Sequence, residues 1–240
     1  MISEYQRNYI AFLDILGFKE MLKSRTCTQI VQIFDEIKTQ YFIKCMDNQK
    51  PLVEISDIHQ KIMSDSICFY ISTDVLNALP VLIGLCSYLQ VRLWRAEYPI
   101  LVRGGIVEGD LYSNGDILFG TGLTEAYLLE EKNAKVPRII MTKQTVTRAS
   151  IDDSAKGLVQ GHLLTDYDGF YFINSFPMLS AWGSKDGSYA RFCTHVQNTL
   201  DSTTDDSIRS KYLYLASKLQ QFQNNMKSGE EGICQNNPQQ

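Results

Sequence analysis

The sequence predicts an α+β fold of the split βαβ kind, ferredoxin-like or palm-type, with helices appended at the C-terminal end. Three observations predict it. Strand-like and helix-like runs follow in the order strand, helix, strand, strand, helix, strand. Only Ser64 and Asp65 separate the second strand from the third, so those two form a hairpin. Two long stretches of helical periodicity, at about 26–47 and 74–97, fall between the strands.

Residues 9–15 read as a buried first strand, ended by Gly17. The helix that follows places Ile30, Ile33, Phe34, Ile37, Tyr41 and Phe42 on one apolar face. Pro51 and the alternation of Val53, Ile55 and Ile62 predict the second strand, and 67–71 the third, with Asp65 at the hairpin tip. Asp74 suits the N-cap of the second long helix. A fourth strand spans 100–107, interrupted by Arg103-Gly104-Gly105. After a turn at Ser113-Asn114-Gly115-Asp116, a short strand at 117–119 meets Gly120-Thr121-Gly122, and a helix runs to about 132. Strands at 138–142 and 169–176 complete the sheet. The span 187–227 is mostly helical, with Tyr189, Phe192, Val196 and Leu200 on one face, and the polar tail after Gly229 is expected to be disordered. The expected organisation is a domain at 1–180, a helical extension packed on it at 181–228, and a tail at 229–240.

A chain of 240 residues can bury one good-sized core and carry a small appendage. Hydrophobic content of 44% and charged content of 21% are those of an ordinary globular protein. A net charge of -4 provides no basic field, which argues against nucleic-acid binding. The six cysteines are scattered without Cys-x-x-Cys spacing, and most lie in apolar runs, as expected of small hydrophobes in a reducing cytoplasm. The polar start predicts no signal peptide. Residues 75–93 are the one membrane suspect, but Asn77, Pro80, Ser87, Gln90 and Arg92 make a buried helix the better reading.

Asp14 and Asp65 each interrupt an apolar run, Tyr9-Ile-Ala-Phe-Leu-Asp14-Ile-Leu-Gly-Phe18 and Lys61-Ile-Met-Ser-Asp65-Ser-Ile-Cys-Phe-Tyr70. A carboxylate in such company needs a cation or a dense set of hydrogen bonds. Two strand-borne carboxylates side by side would repel each other, and Mg2+ or Mn2+ ions would reverse that. Two metals held by two aspartates suit in-line displacement at phosphorus.

Four phrases occur in the order of a class III nucleotidyl cyclase domain: Ala-Phe-Leu-Asp14-Ile15-Leu-Gly-Phe18, Lys61-Ile-Met-Ser-Asp65-Ser, Arg103-Gly-Gly-Ile and Phe119-Gly-Thr-Gly-Leu-Thr-Glu-Ala126. The resemblance covers about residues 9–142. Within that superfamily the chain looks most like the bacterial anti-phage pyrimidine cyclases of the Pycsar system, which share Asp-Ile-Leu-Gly-Phe, Ser-Asp-Ser, Arg-Gly-Gly-Ile and Ala-Tyr-x-Leu-Glu.

The resemblance implies a homodimer with interface active sites. Asp14, Asp65 and the Ile15 carbonyl would hold two divalent ions, Mn2+ or Mg2+. Leu16, Gly17 and Phe18 would offer backbone N–H groups to the triphosphate, and the partner protomer would supply the base pocket. The ribose 3'-hydroxyl would attack the α-phosphorus and release pyrophosphate. Arg103 is the candidate cation for the phosphates. Lys61 aligns with the lysine that reads adenine in adenylate cyclases, while the acidic base reader falls at Ile117, which accepts no hydrogen bond. The transition-state asparagine aligns with Thr124, and the arginine one turn later with Leu128. A donor at Lys61 without an acceptor at Ile117 suits uracil O4, so UTP is favoured over CTP. The product would be a second messenger for a separate anti-phage effector.

Plainer readings stand beside these. Asp14 would otherwise cap a turn, and Asp65 would be an ordinary turn residue. Lys61 would be a solvated side chain, Arg103 an ion pair with Glu108 or Glu130, and the 120–122 glycines a relief of crowding. His59, His162 and His195 share no zinc spacing, and Ser64 and Ser66 lack a hydrolase pattern. Met-Ser-Asp-Ser stands where a diguanylate cyclase needs Gly-Gly-Asp/Glu-Glu-Phe. Thr124 and Leu128 motivate one more alternative, a degenerate cyclase-like module that binds nucleotide without turnover.

Overall fold

The computed structural model describes residues 4–38, 55–149 and 153–235. It divides into two compact units, Met1–Ser175 and Phe176–Gln240. The first is α+β and holds every candidate site residue. Its strands are β1 (Gln6–Ile15), β2 (His59–Met63), β3 (Ser66–Ser72), β4 (Val102–Asn114), β5 (Ile117–Phe119), β6 (Ile139–Met141), β7 (Leu163–Thr165) and β8 (Tyr171–Ile173). The sheet order is β2-β3-β1-β4-β6-β8-β7, with β5 folded back on β4. Neighbours are antiparallel except β4 and β6. The order β2-β3-β1-β4 is the split βαβ arrangement expected from sequence.

The helices of this unit are α1 (Phe18–Ser24), α2 (Cys27–Ile37), α3 (Ala78–Trp94), α4 (Thr121–Asn133), α5 (Lys143–Thr147) and α6 (Asp153–His162). Thr26 and Gln29 close a capping box at the start of α2. That helix ends at Ile37, ten residues before the expected limit, and Tyr41 and Phe42 lie outside the described residues. Nearly all of α3 is buried, Trp94 included, and among the described residues no helix is long and apolar enough to cross a membrane. Asn77, with φ 65, is its N-cap in place of Asp74. Ile55 lies in a 3-10 turn (Ile55–Asp57) rather than in β2. The short elements α1, α5 and β7 escaped the sequence reading because none is long enough to show a period.

The odd-numbered positions of β1 face away from the site, and the even ones, Ile10, Phe12 and Asp14, share a face with Cys68, Tyr70 and Val107 under α4. Glycines let α4 lie almost on the backbone of β4. A Cβ at Gly109 would come within 2.4 Å of Gly122 Cα, and one at Gly105 within 2.7 Å of Ala126 O. Because both obstacles are backbone, Gly109→Val should lift α4 and cost about 1–3 kcal/mol in urea unfolding. A loss below 0.5 kcal/mol, roughly the level of an ordinary surface substitution, would contradict that packing.

The second unit consists of α7 (Phe176–Asp186), α8 (Ser188–Ser202) and α9 (Asp206–Gln235). Phe192 and Val196 of α8 are buried, and His195 Nε2 lies 2.9 Å from Tyr212 Oη. Helical backbone continues past Gly229 to Gln235, into the stretch whose composition predicts disorder.

Candidate active site

The sheet register brings the two aspartates to one end of neighbouring strands. Asp14 stands opposite Ser66 of β3, the residue after Asp65, and Ile15 N donates to Asp65 O at 3.0 Å. In an extended strand a residue's N–H and C=O point to the same edge, so the Ile15 carbonyl also faces Asp65. Asp65 is half-buried, and Ser64 before it takes a positive φ of 56, which a two-residue hairpin needs at its first central position.

Leu16, Gly17 and Phe18 make the turn from β1 into α1. Gly17, at φ 76, accepts from Glu20 N (3.0 Å) and Met21 N (3.1 Å), a left-handed conformation that suits glycine. Leu16 N already donates to Leu101 O at 2.9 Å. The N–H groups of Gly17, Phe18 and Lys19 lie where a helix has no acceptors of its own. The Phe18 ring is buried edge-on against Phe34, with centroids 5.8 Å apart, so only its backbone is placed for a ligand.

Arg103 stands opposite Asp14 on β4. Its Nε donates to Asp14 Oδ2 at 3.2 Å and lies 2.7 Å from Glu130 Oε1, while Nη1 reaches Ala134 O at 3.5 Å. Of the two ion partners weighed from sequence, Glu130 is the one it meets, since Glu108 binds Arg7 at 2.8 Å. Burial pushes the Glu130 carboxyl up to about 7, with Arg103 opposing the shift and Asp14 adding to it. The folded state therefore holds this proton more tightly than the unfolded chain. Stability should fall as pH rises from about 4.5 to about 7 and level off above. Thermal melts across that range should show the slope in the wild type and a flatter profile in Glu130→Gln.

A cleft of about 450 Å³ opens on the same sheet face, lined by Phe12, Lys61, Ser66, Cys68, Asp116 and Leu118 among others. Lys61 Nζ donates to Gly115 O at 2.5 Å. Burial pushes the Cys68 thiol up to about 12, so it stays protonated and acts as a small hydrophobe. Ile117 does not line this cleft and is 59% exposed, whereas its neighbours Asp116 and Leu118 do line it. Asp116 lines this cleft but carries no motif in the sequence reading. Its one signal was an acid closing a turn, and pattern alone cannot set which way a three-residue strand faces. Thr124 is not brought to the aspartates. Its hydroxyl donates to Gly120 O at 3.3 Å, and it lines a separate groove with Tyr5, Phe119 and Glu125.

Two carboxylates and a carbonyl oxygen, if gathered at one point, would make a hard donor set suited to Mg2+ or Mn2+. That Asp14 already holds a guanidinium shows that its position favours positive charge. Among the described residues no group of three or more His, Cys, Asp or Glu side chains gathers as a metal cluster, so the backbone oxygen would have to contribute.

No family model and no curated protein matches this sequence. Solved structures do match. One is the catalytic core of a rhodopsin-guanylyl cyclase with converted specificity in complex with ATPαS, at TM-score 0.43 and 12% identity, covering 71% of this chain and 96% of that one. Two are structures of a bacterial light-regulated adenylyl cyclase, at TM-scores 0.42 and 0.40 and identities of 13% and 14%. They cover 73% and 72% of this chain, and 53% and 92% of their own. The chemistry therefore has to be read from this chain's own residues.

Proposed function

We propose that the protein is a nucleotidyl cyclase that converts a pyrimidine nucleoside triphosphate to its 3',5'-cyclic monophosphate and pyrophosphate. What supports this reading is the register that sets Asp14 opposite Ser66, the residue after Asp65, at the strand end beside the Gly17–Phe18 turn. Asp14, Asp65 and the Ile15 carbonyl would hold two divalent ions. When bound, such ions lower the pKa of the 3'-hydroxyl and neutralise the leaving phosphates. The 3'-oxygen forms its bond to the α-phosphorus as the bond to the bridging oxygen of the β-phosphate breaks, and the hydroxyl proton passes to solvent. Backbone N–H groups at Gly17 and Phe18 align the triphosphate.

The cleft with Lys61 and Asp116 is the candidate base pocket. Lys61 donates to a base carbonyl once it leaves Gly115 O, and Asp116 accepts from an exocyclic amine. An acceptor in the same cleft as the lysine would also admit CTP, because cytosine offers both a carbonyl and an amine. Thr124 lines a separate groove with Tyr5 and Phe119, and a homodimer that set this groove against the partner's aspartates would give it a role. Exposed Met63 (77%), Phe119 (47%) and Tyr127 (42%) support burial against a second copy. The product would act on a separate effector, and cytoplasmic anti-phage defence is the setting that the sequence resemblance suggests.

Incubation with each of the four nucleoside triphosphates and Mn2+ should yield cyclic pyrimidine nucleotide by mass spectrometry. Product from ATP alone would overturn the substrate class. Nucleotide binding without any product would establish the non-catalytic module instead.

A further inference from the structure

We propose that Glu130 is a positioning residue that receives Arg103 when Asp14 takes up a cation. The inference rests on the metal reading of Asp14 and adds a residue which that reading does not use. Arg103 has one Nε–H, and it is aligned on Asp14 Oδ2 at 3.2 Å. The same nitrogen is only 2.7 Å from Glu130 Oε1, yet that buried oxygen has no aligned hydrogen bond. Glu130 is thus held against a cation whose proton points elsewhere. Its side chain is 3% exposed, so water does not compensate it.

Geometry makes the exchange short. The close approach of α4 at Gly105, where a Cβ would meet Glu130 N at 3.1 Å, fixes Glu130 over the Arg103 end of β4. Nη1 is anchored on Ala134 O just beyond the same helix. A small rotation about the anchored guanidinium turns Nε–H from Asp14 to Glu130. A divalent ion and Arg103 then no longer compete for one carboxylate, and the displaced guanidinium keeps a buried counter-charge. Without Glu130, Arg103 would hold Asp14 more firmly and oppose the metal.

Mn2+ binding measured at pH 8 by titration calorimetry tests this without any turnover. Glu130→Gln should weaken binding roughly tenfold or more, the usual effect of losing a partner just outside the ligand shell. In an Arg103→Met background the same substitution should change binding less than twofold. An equal loss in both backgrounds would mean that Glu130 acts as a bare charge, and unchanged binding in Glu130→Gln would mean that it does not act; either overturns the proposal. Should Arg103→Met fail to fold, the wild-type protein decides. Saturating Mg2+ should shift the Arg103 Nε–H resonance, assigned with Arg103→Lys, and an unmoved resonance overturns the proposal. Loss of Mn2+ binding in Asp14→Asn, with Glu130→Gln equal to wild type, refutes this proposal and leaves the metal reading standing. Absence of Asp14-dependent binding removes both.

Discussion

Asp14→Asn is expected to abolish Mn2+-dependent formation of cyclic nucleotide, by on the order of a thousandfold or more, and Asp65→Asn to do the same. The amide keeps the shape of the carboxyl and loses the charge that would bind a hard cation. The fold should survive, because Asp14 sits at a strand end with its side chain 22% exposed and Arg103 retains Glu130 at 2.7 Å. Exposed and half-exposed ion pairs contribute about 1 kcal/mol or less, so the melting temperature should move by a few degrees at most. Product assayed by mass spectrometry beside a thermal melt separates chemistry from folding. Full turnover in a well-folded Asp14→Asn protein would remove the catalytic role of the site altogether.

The largest stability effect is expected at Arg138, which lies outside the sequence phrases that mark the candidate site. This residue is 3% exposed at the entrance to β6 and pairs with Asp166 at 2.5 Å, with Asp168, and with Asn133 O at 3.1 Å. The Asp166 side chain is fully buried. Arg138→Met leaves that carboxylate in the core without its cation, and breaking one side of such a pair costs about 3–5 kcal/mol. Combining Arg138→Met with Asp166→Leu should recover a large part of the loss, because the two sites share one interaction. Urea unfolding of the single and double variants measures both quantities. A single-variant loss below about 1 kcal/mol would show that the cluster is no structural anchor. The site would feel the change too, since Gly104 N donates to Arg138 O at 3.0 Å, next to Arg103.

Continuous apolar strands and the helices bounded by turn signals were legible in the chain: β1, β3, the β2–β3 hairpin, α3 and α4 appear where the pattern places them. Boundaries were less legible. Asn77 rather than Asp74 starts α3, because a left-handed residue can cap through its backbone position with no side-chain bond. Phosphate-loop candidates sit together at the β1–α1 turn because they are contiguous, and contiguity needs no tertiary information.

By itself the sequence determined the split βαβ order and the presence of one acid at the end of an apolar strand and another at a hairpin tip, since both are local properties of pattern and spacing. Only the tertiary structure decided that Arg103 faces Glu130 rather than Glu108, that Asp116 rather than Ile117 lines the cleft with Lys61, and that Thr124 lies apart from the aspartates. The physical reason is the same in each case. Which side chains meet across a sheet depends on register and on how closely a helix can approach, and here the glycines at 105, 109 and 122 set that approach through contacts between residues far apart in the chain.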